Sequence, residues 1–501
     1  MNKALIWQKA KEYLWNALVI LLPITSFPLI VKLVGSDVVG LPSGLLLLFM
    51  IAVWYIPWII KQGSIHRSSI PLLAFVAVAV FSSALAVYRW IPVGTGSEIF
   101  REVATSLVSL GLGVGMYLVS TQWTKKPGRI QITLRLINYT GGLIILWSAL
   151  QAVVWLGIGG YPMVMEKVHR FFSTGVLYKA RVTGIALEPS WYAHQLNMLY
   201  LPFWFAATIN QYSVHRSRIL QRITWENVLL FGGVIALVLT RSRVGYLAFL
   251  LMSVVYFVQL NQQIVHFIYQ KFANRLPTLQ RDQTGMLKKY QQTRKRLRIA
   301  INTVMILFYI GLIVLVAFFF YRFDERMATV FTFNFAESQW LYQYLGNLDL
   351  GPRVTFWLAG WGVFEKYPLF GVGLGNSGFY FWETIPDLGW TFEEVRRLMW
   401  TSSNVLNPKN LWVRLLAETG LIGFTCFISW LLTTASSSIW LRRRSNSPFI
   451  RTIGTMGLMV VLGLVAEGFS VDSFSLIYFW LSFGLVTSAY LQTVQAKAKE
   501  E

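Results

Sequence analysis

The sequence predicts an all-α polytopic membrane protein, and two features of its composition lead to that prediction. Hydrophobic residues make up 55% of the 501 residues and charged residues only 13%, whereas soluble domains carry about a quarter charged residues. A membrane-spanning helix needs about 20 apolar residues, and runs of this kind recur along the whole chain. The single cysteine, Cys426, excludes an internal disulfide scaffold.

About twelve transmembrane helices are predicted from the apolar runs. They lie at 14–34, 42–60, 70–88, 103–120, 136–157, 189–209, 227–240, 244–259, 300–321, 411–435, 453–468 and 472–493. The first run contains Pro23 and Pro28, which a spanning helix tolerates when neighbours satisfy the freed carbonyls. This run is long and has no Ala-x-Ala cleavage site, so we predict an uncleaved first helix and not a signal peptide.

The basic residues predict the orientation of these helices. Of the 44 Lys and Arg, 27 lie in alternate loops that hold only 5 of the 22 Asp and Glu. These loops are 1–13, 61–69, 121–135, 210–226, 260–299, 441–452 and 494–501. The positive-inside rule places them, and both termini, in the cytoplasm. This asymmetry accounts for the net charge of +22 without a nucleic-acid partner. The dense run from Lys288 to Arg298 is then a solvated or headgroup-facing flank, or a cytoplasmic partner site.

Two long loops, 157–188 and 322–409, fall on the opposite, extracytoplasmic side. Long loops are usually functional or disordered, and the second is too rich in aromatic residues for disorder. Within it, Pro352 suits the first position of a helix. The apolar face of that helix is predicted from residues three or four apart: Val354, Trp357, Leu358, Trp361 and Phe364. The chain therefore divides into transmembrane helices at 1–321, an extracytoplasmic loop at 322–410 and further transmembrane helices at 411–501.

Ionisable residues gather where the predicted spans end on the extracytoplasmic side. They are Glu188, Arg241, Arg243, Arg353, Lys409, Arg414, Glu418, Glu467 and Asp472. All of them except Lys409 also have a structural interpretation, and for Arg353 it is a solvated residue at a helix start. Arg241 and Arg243 are candidates for snorkelling side chains, and Arg414 with Glu418 for a pair four residues apart on one helix. Glu188 suits the start of a helix. Glu467 and Asp472 suit turns or helix caps, and the nearby His194 suits a packed polar residue.

Taken together, these residue types favour a phosphate-bearing, lipid-linked glycan as the ligand. Arginine offers a planar fork of donors that matches phosphate, and a partly desolvated carboxylate is suited to act as a base. Aromatic faces suit sugar rings. Gly371 to Asn376 follows no strand of a βαβ unit, so a tight turn is predicted and not a dinucleotide loop. No His-x-x-x-His motif or cysteine pair predicts a metal site.

Three stretches resemble one family of membrane enzymes. The stretch from Leu239 to Ala248 (Leu-Thr-Arg-Ser-Arg-Val-Gly-Tyr-Leu-Ala) resembles the arginine turn of the O-antigen ligase and O-antigen polymerase family. The stretch from Arg353 to Asn376 resembles the family's large outer loop. The end of that loop, typically a His-Asn pair followed by Ala-Glu-x-Gly-x-x-Gly, resembles the stretch from Asn407 to Gly423.

The resemblance implies a GT-C-like, metal-independent glycosyltransferase without a cofactor, in the bacterial inner membrane. It would take glycan from an undecaprenyl diphosphate carrier on the periplasmic or exterior side and transfer it to an acceptor glycan or lipid. A chain-length regulator is a further candidate partner. The matching diphosphate contacts are Arg241, Arg243 and Arg353. Arg414, Asn410, Trp357 and Trp361 complete the predicted substrate-binding set.

The predicted catalytic residues are Glu188, Lys409 and Arg353. Lys409 stands where ligases of the family have the histidine of the His-Asn pair, so it is either a phosphate contact or a lysine of lowered pKa. The stretch from Arg181 to Ser190 looks more like that of exopolysaccharide polymerases, which makes Glu188 a candidate base. A polymerase is therefore favoured over a ligase. A transporter of a small solute such as bicarbonate, and a non-enzymatic assembly scaffold, are the alternatives.

Overall fold

The computed structural model describes residues 3–37, 39–86, 88, 91–92, 96–215, 223–273, 284–323, 328–331, 340–348, 350–402 and 404–500. Every regular element in these residues is helical. The chain forms two units. The larger comprises Met1–Met252 with Gly351–Glu501, and the smaller is Ser253–Leu350. Parts of the predicted loops 210–226, 260–299 and 322–410 lie outside the described residues.

The described residues up to Phe323 form thirteen α-helices and two π-helical segments. The helices are α1 (Lys3–Ile20), α2 (Pro28–Val34), α3 (Pro42–Met50), α4 (Ile56–Gln62), α5 (Ile70–Ala86), α6 (Gly96–Trp123), α7 (Arg129–Ile158), α8 (Met163–Phe172), α9 (Pro189–Gln195), α10 (Leu201–Ile209), α11 (Trp225–Thr240), α12 (Arg243–Ala273) and α13 (Thr284–Phe323). The π segments are Ile51–Tyr55, between α3 and α4, and Leu196–Tyr200, between α9 and α10.

From Trp340 on, the described residues form seven further α-helices, together with short 3-10 turns. They are α14 (Trp340–Asn347), α15 (Gly351–Lys366), α16 (Phe381–Thr384), α17 (Glu393–Thr401), α18 (Leu411–Arg444), α19 (Pro448–Glu467) and α20 (Ile477–Glu500). In the larger unit, α18 packs against α5, α19 and α20, and α6 packs against α20.

Seven helices of the described chain are long and apolar enough to cross a membrane. They are Pro42–Lys61, Arg67–Leu85, Gly96–Trp123, Arg129–Ile158, Arg243–Gln270, Leu411–Arg444 and Pro448–Glu467. Each coincides with a predicted span. The all-helical, polytopic membrane architecture is therefore confirmed, while the count of twelve and the GT-C-like arrangement stay predictions.

The first predicted span, 14–34, was wrong as a single helix. Helix α1 ends at Ile20 and α2 begins at Pro28, because the residues between them bond distant segments. The Leu22 carbonyl accepts from Gln195 Nε2 at 3.0 Å, and Thr25 Oγ1 accepts from the Leu187 backbone N–H at 2.9 Å. The Ser26 carbonyl accepts from the backbone of Thr174 at 3.0 Å. These bonds hold the segment between α8 and α9, which ends at Glu188.

Helix α15 forms where it was predicted, and within the protein it buries a side other than the predicted apolar face. The buried residues are Pro352, Thr355, Phe356, Ala359, Gly360 and Val363. Leu358 and Trp361, from the predicted apolar face, are 51% and 44% exposed. The reason is that the following loop covers the other side. Phe356 stacks on Phe381 with ring centroids 5.8 Å apart, and Gly360 lies against Pro408 and Val413.

The smaller unit contains the C-terminal part of α12, together with α13 and α14. Val265, Ile301 and Met305 form its buried apolar cluster. In the basic run that opens α13, the side chains of Lys295, Arg296 and Arg298 are exposed, which agrees with a solvated flank. The side chains of Lys288, Lys289 and Arg294 lie outside the described residues.

Candidate functional site

Charged side chains from five distant segments of the larger unit interact electrostatically. Lys409 interacts with Glu394, Arg353, Asp472 and Glu188, and Arg414 interacts with Glu418 and Asp472. We call Glu188, Arg353, Lys409, Arg414, Glu418 and Asp472 the charged cluster. Four of its members are predicted site residues: Glu188, Arg353, Lys409 and Arg414.

Lys409 lies in a strained turn directly before α18. Its φ of 52° is left-handed, and Asn407 Oδ1 accepts a hydrogen bond from its backbone N–H at 3.0 Å. Asn410 then caps α18, because its Oδ1 accepts from the backbone N–H groups of Trp412 and Val413 at 2.9 and 3.2 Å. Such a cap satisfies donors that the first helical turn leaves free. Asn410 thus has a structural function here, and its predicted substrate contact stays a prediction.

The Lys409 ammonium group has both cationic and anionic neighbours. Its Nζ lies 3.9 Å from Glu394 Oε1 and 5.1 Å from the centroid of the Phe356 ring. Burial is the main cause that lowers the pKa of Lys409 below its usual 10.5; the Glu394 carboxylate opposes this shift, and the Arg353 guanidinium adds to it. The side chain is 33% exposed, so a ligand can still reach it.

Arg353 begins a row of side chains along one face of α15. Its Nη1 donates to Ser470 Oγ at 2.8 Å. One turn further, Trp357 packs against Phe469, with centroids 5.7 Å apart, and its buried indole N–H has no hydrogen-bond partner. One turn beyond, Trp361 Nε1 donates to Glu365 Oε1 at 2.8 Å. Arg353, Trp357 and Trp361 therefore form a cationic and aromatic strip that starts at the charged cluster.

The pairing interpretation of Arg414 and Glu418 is confirmed. Arg414 Nε donates to Glu418 Oε2 at 3.0 Å, Nη1 donates to the Asp472 carbonyl at 3.0 Å, and Nη2 donates to Ser106 Oγ at 3.4 Å. Ser377 Oγ donates to the other carboxylate oxygen of Glu418 at 3.0 Å. The guanidinium group is largely engaged inside the protein, and its predicted diphosphate contact stays a prediction.

A break in α18 explains the Ala-Glu-x-Gly motif at 417–420. Gly420 has a left-handed φ of 66° and interrupts the helix. The carbonyls of Ala417 and Glu418 accept instead from the backbone N–H groups of Val372 and Gly373, both at 2.9 Å. A Cβ on Gly371 would lie 2.4 Å from the Glu418 carbonyl carbon. The glycine-rich stretch is therefore a turn, as predicted, and it replaces the hydrogen bonds that the broken helix loses.

The arginine turn joins α11 to α12 in the larger unit. Arg241 ends α11 with a left-handed φ of 50°, and Arg243 begins α12. Arg181 Nε donates to the Thr240 carbonyl at 2.9 Å, which ties the turn to the segment that leads to Glu188. Among the described residues, only four non-glycine residues have a positive φ. Two of them, Arg241 and Lys409, are predicted site residues, and backbone strain of this kind clusters at functional sites.

A second connection runs from the arginine turn toward the charged cluster. Asn197 Nδ2 donates to the Gly245 carbonyl at 2.8 Å and to Glu467 Oε1 at 2.6 Å. Glu467 ends α19, directly before the segment that contains Ser470 and Asp472. The turn is thus positioned relative to the cluster through Asn197 and Glu467.

The comparison with known families agrees with this geometry. Residues 228–428 match the family model of the O-antigen ligases. The match confirms the resemblance that the sequence motifs indicated. No curated protein matches the chain. The O-antigen ligase match includes the arginine turn, Arg353, Lys409, Arg414 and the break at Gly420, whereas Glu188 and Asp472 lie outside it.

The O-antigen ligase match and the apolar helices together indicate a membrane enzyme similar to the O-antigen ligases. The sequence predicts Asp472 to lie among the ionisable residues at the ends of the spans, with a turn or cap as its structural interpretation, and it was not among the predicted site residues. In the structure its carboxylate interacts electrostatically with Arg414, Lys409 and Arg353, and its Oδ2 is buried without a hydrogen-bond partner. The charge of this residue could be seen in the sequence, but its neighbours could not. His194 is a packed residue, since its buried Nδ1 lies 2.7 Å from Tyr478 Oη.

Proposed function

We propose that this protein joins a lipid-diphosphate-linked oligosaccharide to a sugar hydroxyl of an acceptor, as a polysaccharide polymerase and not as a ligase. The observation that carries the proposal is the charged cluster: Arg353 and Lys409 interact electrostatically with carboxylates within or next to the O-antigen ligase match. The charge asymmetry of the loops supports a site on the extracytoplasmic face, with both termini in the cytoplasm. The polymerase preference rests on the stretch from Arg181 to Ser190.

The proposed reaction is a displacement at the anomeric carbon of the donor sugar. The acceptor hydroxyl oxygen forms a bond to that carbon, and the bond from the carbon to the diphosphate oxygen breaks. Undecaprenyl diphosphate leaves with the electron pair. Arg241, Arg243 and Arg353 stabilise the negative charge that grows on the leaving group, which is the kind of interaction that contributes most to many enzymatic rates. The proton of the hydroxyl goes to a base.

Glu188 is the residue we propose as the base. It precedes the first turn of α9 and is partly exposed, so an acceptor can reach its carboxylate. Ser190 Oγ donates a hydrogen bond to its Oε1, which orients the group, and it interacts with Lys409. In this assignment Lys409 is protonated and contacts phosphate.

Replacing Glu188 by glutamine should lower the transfer rate by about 10²–10⁴-fold, which is the usual contribution of a positioned base. The amide keeps the shape of the side chain but cannot accept the proton. The measurement is single-turnover transfer from purified lipid-linked donor. Glu166→Gln is the matched control, since Glu166 is a 46% exposed glutamate of the same outer segment. Equal rates for both variants would remove Glu188 from the mechanism.

Lys409→Arg separates the two proposed functions of the lysine. A guanidinium group keeps the positive charge but does not lose its proton, so a phosphate contact predicts retention of most activity, while Lys409→Met loses it. In the native protein, activity should then fall as pH rises through the Lys409 pKa, which burial places below 10.5. That fall should disappear in Lys409→Arg. If native activity instead rises over this range and Lys409→Arg is inactive, Lys409 is the base.

The decisive test of the function is the glycan profile of the native host after deletion of the gene. Single repeat units left on the lipid carrier, with no long chains, are expected for a polymerase. Long chains stranded on the carrier, beside an unmodified acceptor, would indicate a ligase. An unchanged profile without a redundant homologue would contradict both enzyme assignments and favour transport. Intact partner binding without catalysis would favour a scaffold.

A further inference from the structure

Three tryptophans form an aromatic cluster in the loop between α15 and α18. The Trp382 ring contacts both others, with centroids 5.5 Å from Trp390 and 4.9 Å from Trp400. Trp390 is partly buried and packs against the apolar cluster that includes Phe356 and Phe381, whereas Trp400 is 72% and Trp382 37% exposed. Helices α16 and α17, which carry these two exposed rings, have only 4 and 9 residues. They are too short to span a membrane.

The arrangement of the rings suits a binding surface. The planes of Trp382 and Trp400 meet at 76°, so the two exposed rings form a corner. Trp390 contacts Trp382 at 31° and connects it to the packed interior. Rigid tryptophan rings offer a large contact area and lose little conformational entropy when they bind. Exposed apolar patches on water-facing surfaces often mark binding sites. We call Trp382, Trp390 and Trp400 the tryptophan platform.

Helix α17 links the tryptophan platform to the charged cluster. Its first turn carries Glu394, whose Oε1 lies 3.9 Å from Lys409 Nζ. Trp400 follows six residues later, about 9 Å further along the helix at 1.5 Å per residue. The other exposed ring is fixed to α15, because the neighbouring Glu383 pairs with Lys366 at 2.8 Å. The platform is therefore within reach of a chain whose end lies at the charged cluster.

The charges around the tryptophan platform favour a sugar over a lipid surface. Residues 382–400 carry four carboxylates and two arginines, a local excess of negative charge in a chain of net +22. Exposed tryptophans of membrane proteins often belong to an interfacial aromatic belt, but anionic headgroups attract basic segments and not acidic ones. The side chains of Glu383, Asp387 and Glu393 are exposed, and carboxylates accept hydrogen bonds from hydroxyl groups. Aromatic faces, in turn, pack on the C–H faces of sugar rings.

We propose that the tryptophan platform binds uncharged sugar rings of the glycan chain, away from the bond that forms. The proposal rests on the proposed function, because that function places one end of a glycan at the charged cluster. The platform takes no part in the chemical step. It holds the chain by stacking, so that the reacting end of the glycan stays at the charged cluster.

The direct test is binding of soluble glycan to the full chain in nanodiscs of phosphatidylethanolamine and phosphatidylglycerol. The probe is the uncharged fraction of short fragments that partial hydrolysis releases from the surface polysaccharide of the native host. Isothermal titration calorimetry measures the affinity. We expect saturable binding by the native protein, and the absence of binding would overturn the proposal.

Trp400→Leu separates stacking from general apolar contact, because leucine is apolar and favours helix but has no aromatic face. We expect an affinity that is weaker by at least about tenfold, the usual order of loss when a central aromatic side chain is removed from a binding surface. Trp400→Phe keeps a ring and should retain most of the affinity. Trp7→Leu is the matched control, since Trp7 is 46% exposed on α1, and it should bind as the native protein does. Equal affinities of Trp400→Leu and the native protein would contradict the proposal.

A second measurement tests the membrane-interface alternative. A nitroxide label is attached to Trp400→Cys in a Cys426→Ser background, since Cys426 is the single cysteine. Its relaxation by a water-soluble nickel chelate is compared with that by oxygen, which concentrates in lipid. We expect the nickel chelate to dominate, and the soluble glycan to weaken its effect. Dominance of oxygen would place residue 400 in the bilayer and overturn the proposal.

The outcomes for the tryptophan platform and for the proposed function can be told apart. If the native protein binds the fragments through Trp400 but transfers no glycan, the proposed reaction fails and the sugar site stands. If it transfers glycan while Trp400→Leu binds the fragments as tightly as the native protein does, the sugar site fails and the reaction stands.

Discussion

Arg353→Ala should abolish glycan transfer while the protein remains folded and inserted in the membrane. The Arg353 guanidinium interacts with both Lys409 and Asp472 and starts the strip that continues to Trp357 and Trp361. Removal of one group that stabilises developing charge lowers kcat by about 10²–10³-fold. Because the proposed leaving group is a doubly charged diphosphate, we expect a decrease at the upper end of this range. The structural loss is small, since the only bond removed at Nη1 is the one to Ser470 Oγ, and a hydrogen bond contributes about 1 kcal/mol.

The measurement for Arg353 is transfer activity together with the yield of monodisperse protein. Arg396→Ala is the matched control, because Arg396 lies on α17 in the same outer region and donates to the carbonyls of Trp390 and Thr391. Arg353→Lys should retain part of the activity, because an ammonium group keeps the charge but not the planar fork. Normal product formation by Arg353→Ala would remove this residue from the mechanism.

Arg414→Met should lower the free energy of unfolding by about 3–5 kcal/mol, the usual cost of removing one partner from a buried ion pair. The side chains of Arg414 and Glu418 are only 11% and 1% exposed. Without the arginine, the Glu418 carboxylate would stay buried with Ser377 as its side-chain donor, and Asp472 and Ser106 would lose bonds to α18. The measurement is the thermal midpoint and the folded yield in detergent.

Two comparisons make this prediction specific. The double variant Arg414→Met with Glu418→Leu should recover much of the loss, because it removes both buried charges. Lys366→Met should cost no more than about 1 kcal/mol, since the Lys366–Glu383 pair is 45% and 38% exposed and exposed pairs contribute little. If Arg414→Met is as stable as the native protein but loses transfer, Arg414 is a substrate contact, as the sequence predicted, and not chiefly a structural residue.

Part of the site depends on residues that are neighbours in the chain, and part depends on residues that are close only in the folded protein. The arginine turn and the segment around Lys409 could be identified from sequence because each is a short motif whose residues are neighbours in the chain. Asp472 could not be assigned in this way. Its relation to Arg353 and Lys409 depends on how α15 packs on the start of α18, and on the bond between Arg353 and Ser470.

The sequence by itself determined the helical, membrane-spanning class, the positions of seven spans and the start of α15, because long apolar runs and Pro352 act locally on the backbone. Only the tertiary structure decided where helices break and which faces are buried. The interruptions at 21–27 and at Gly420 form because Gln195, Leu187, Val372 and Gly373 supply the replacement hydrogen bonds. The buried face of α15 was likewise decided by the loop that covers it. These partners lie far away in the chain, so no local pattern records them.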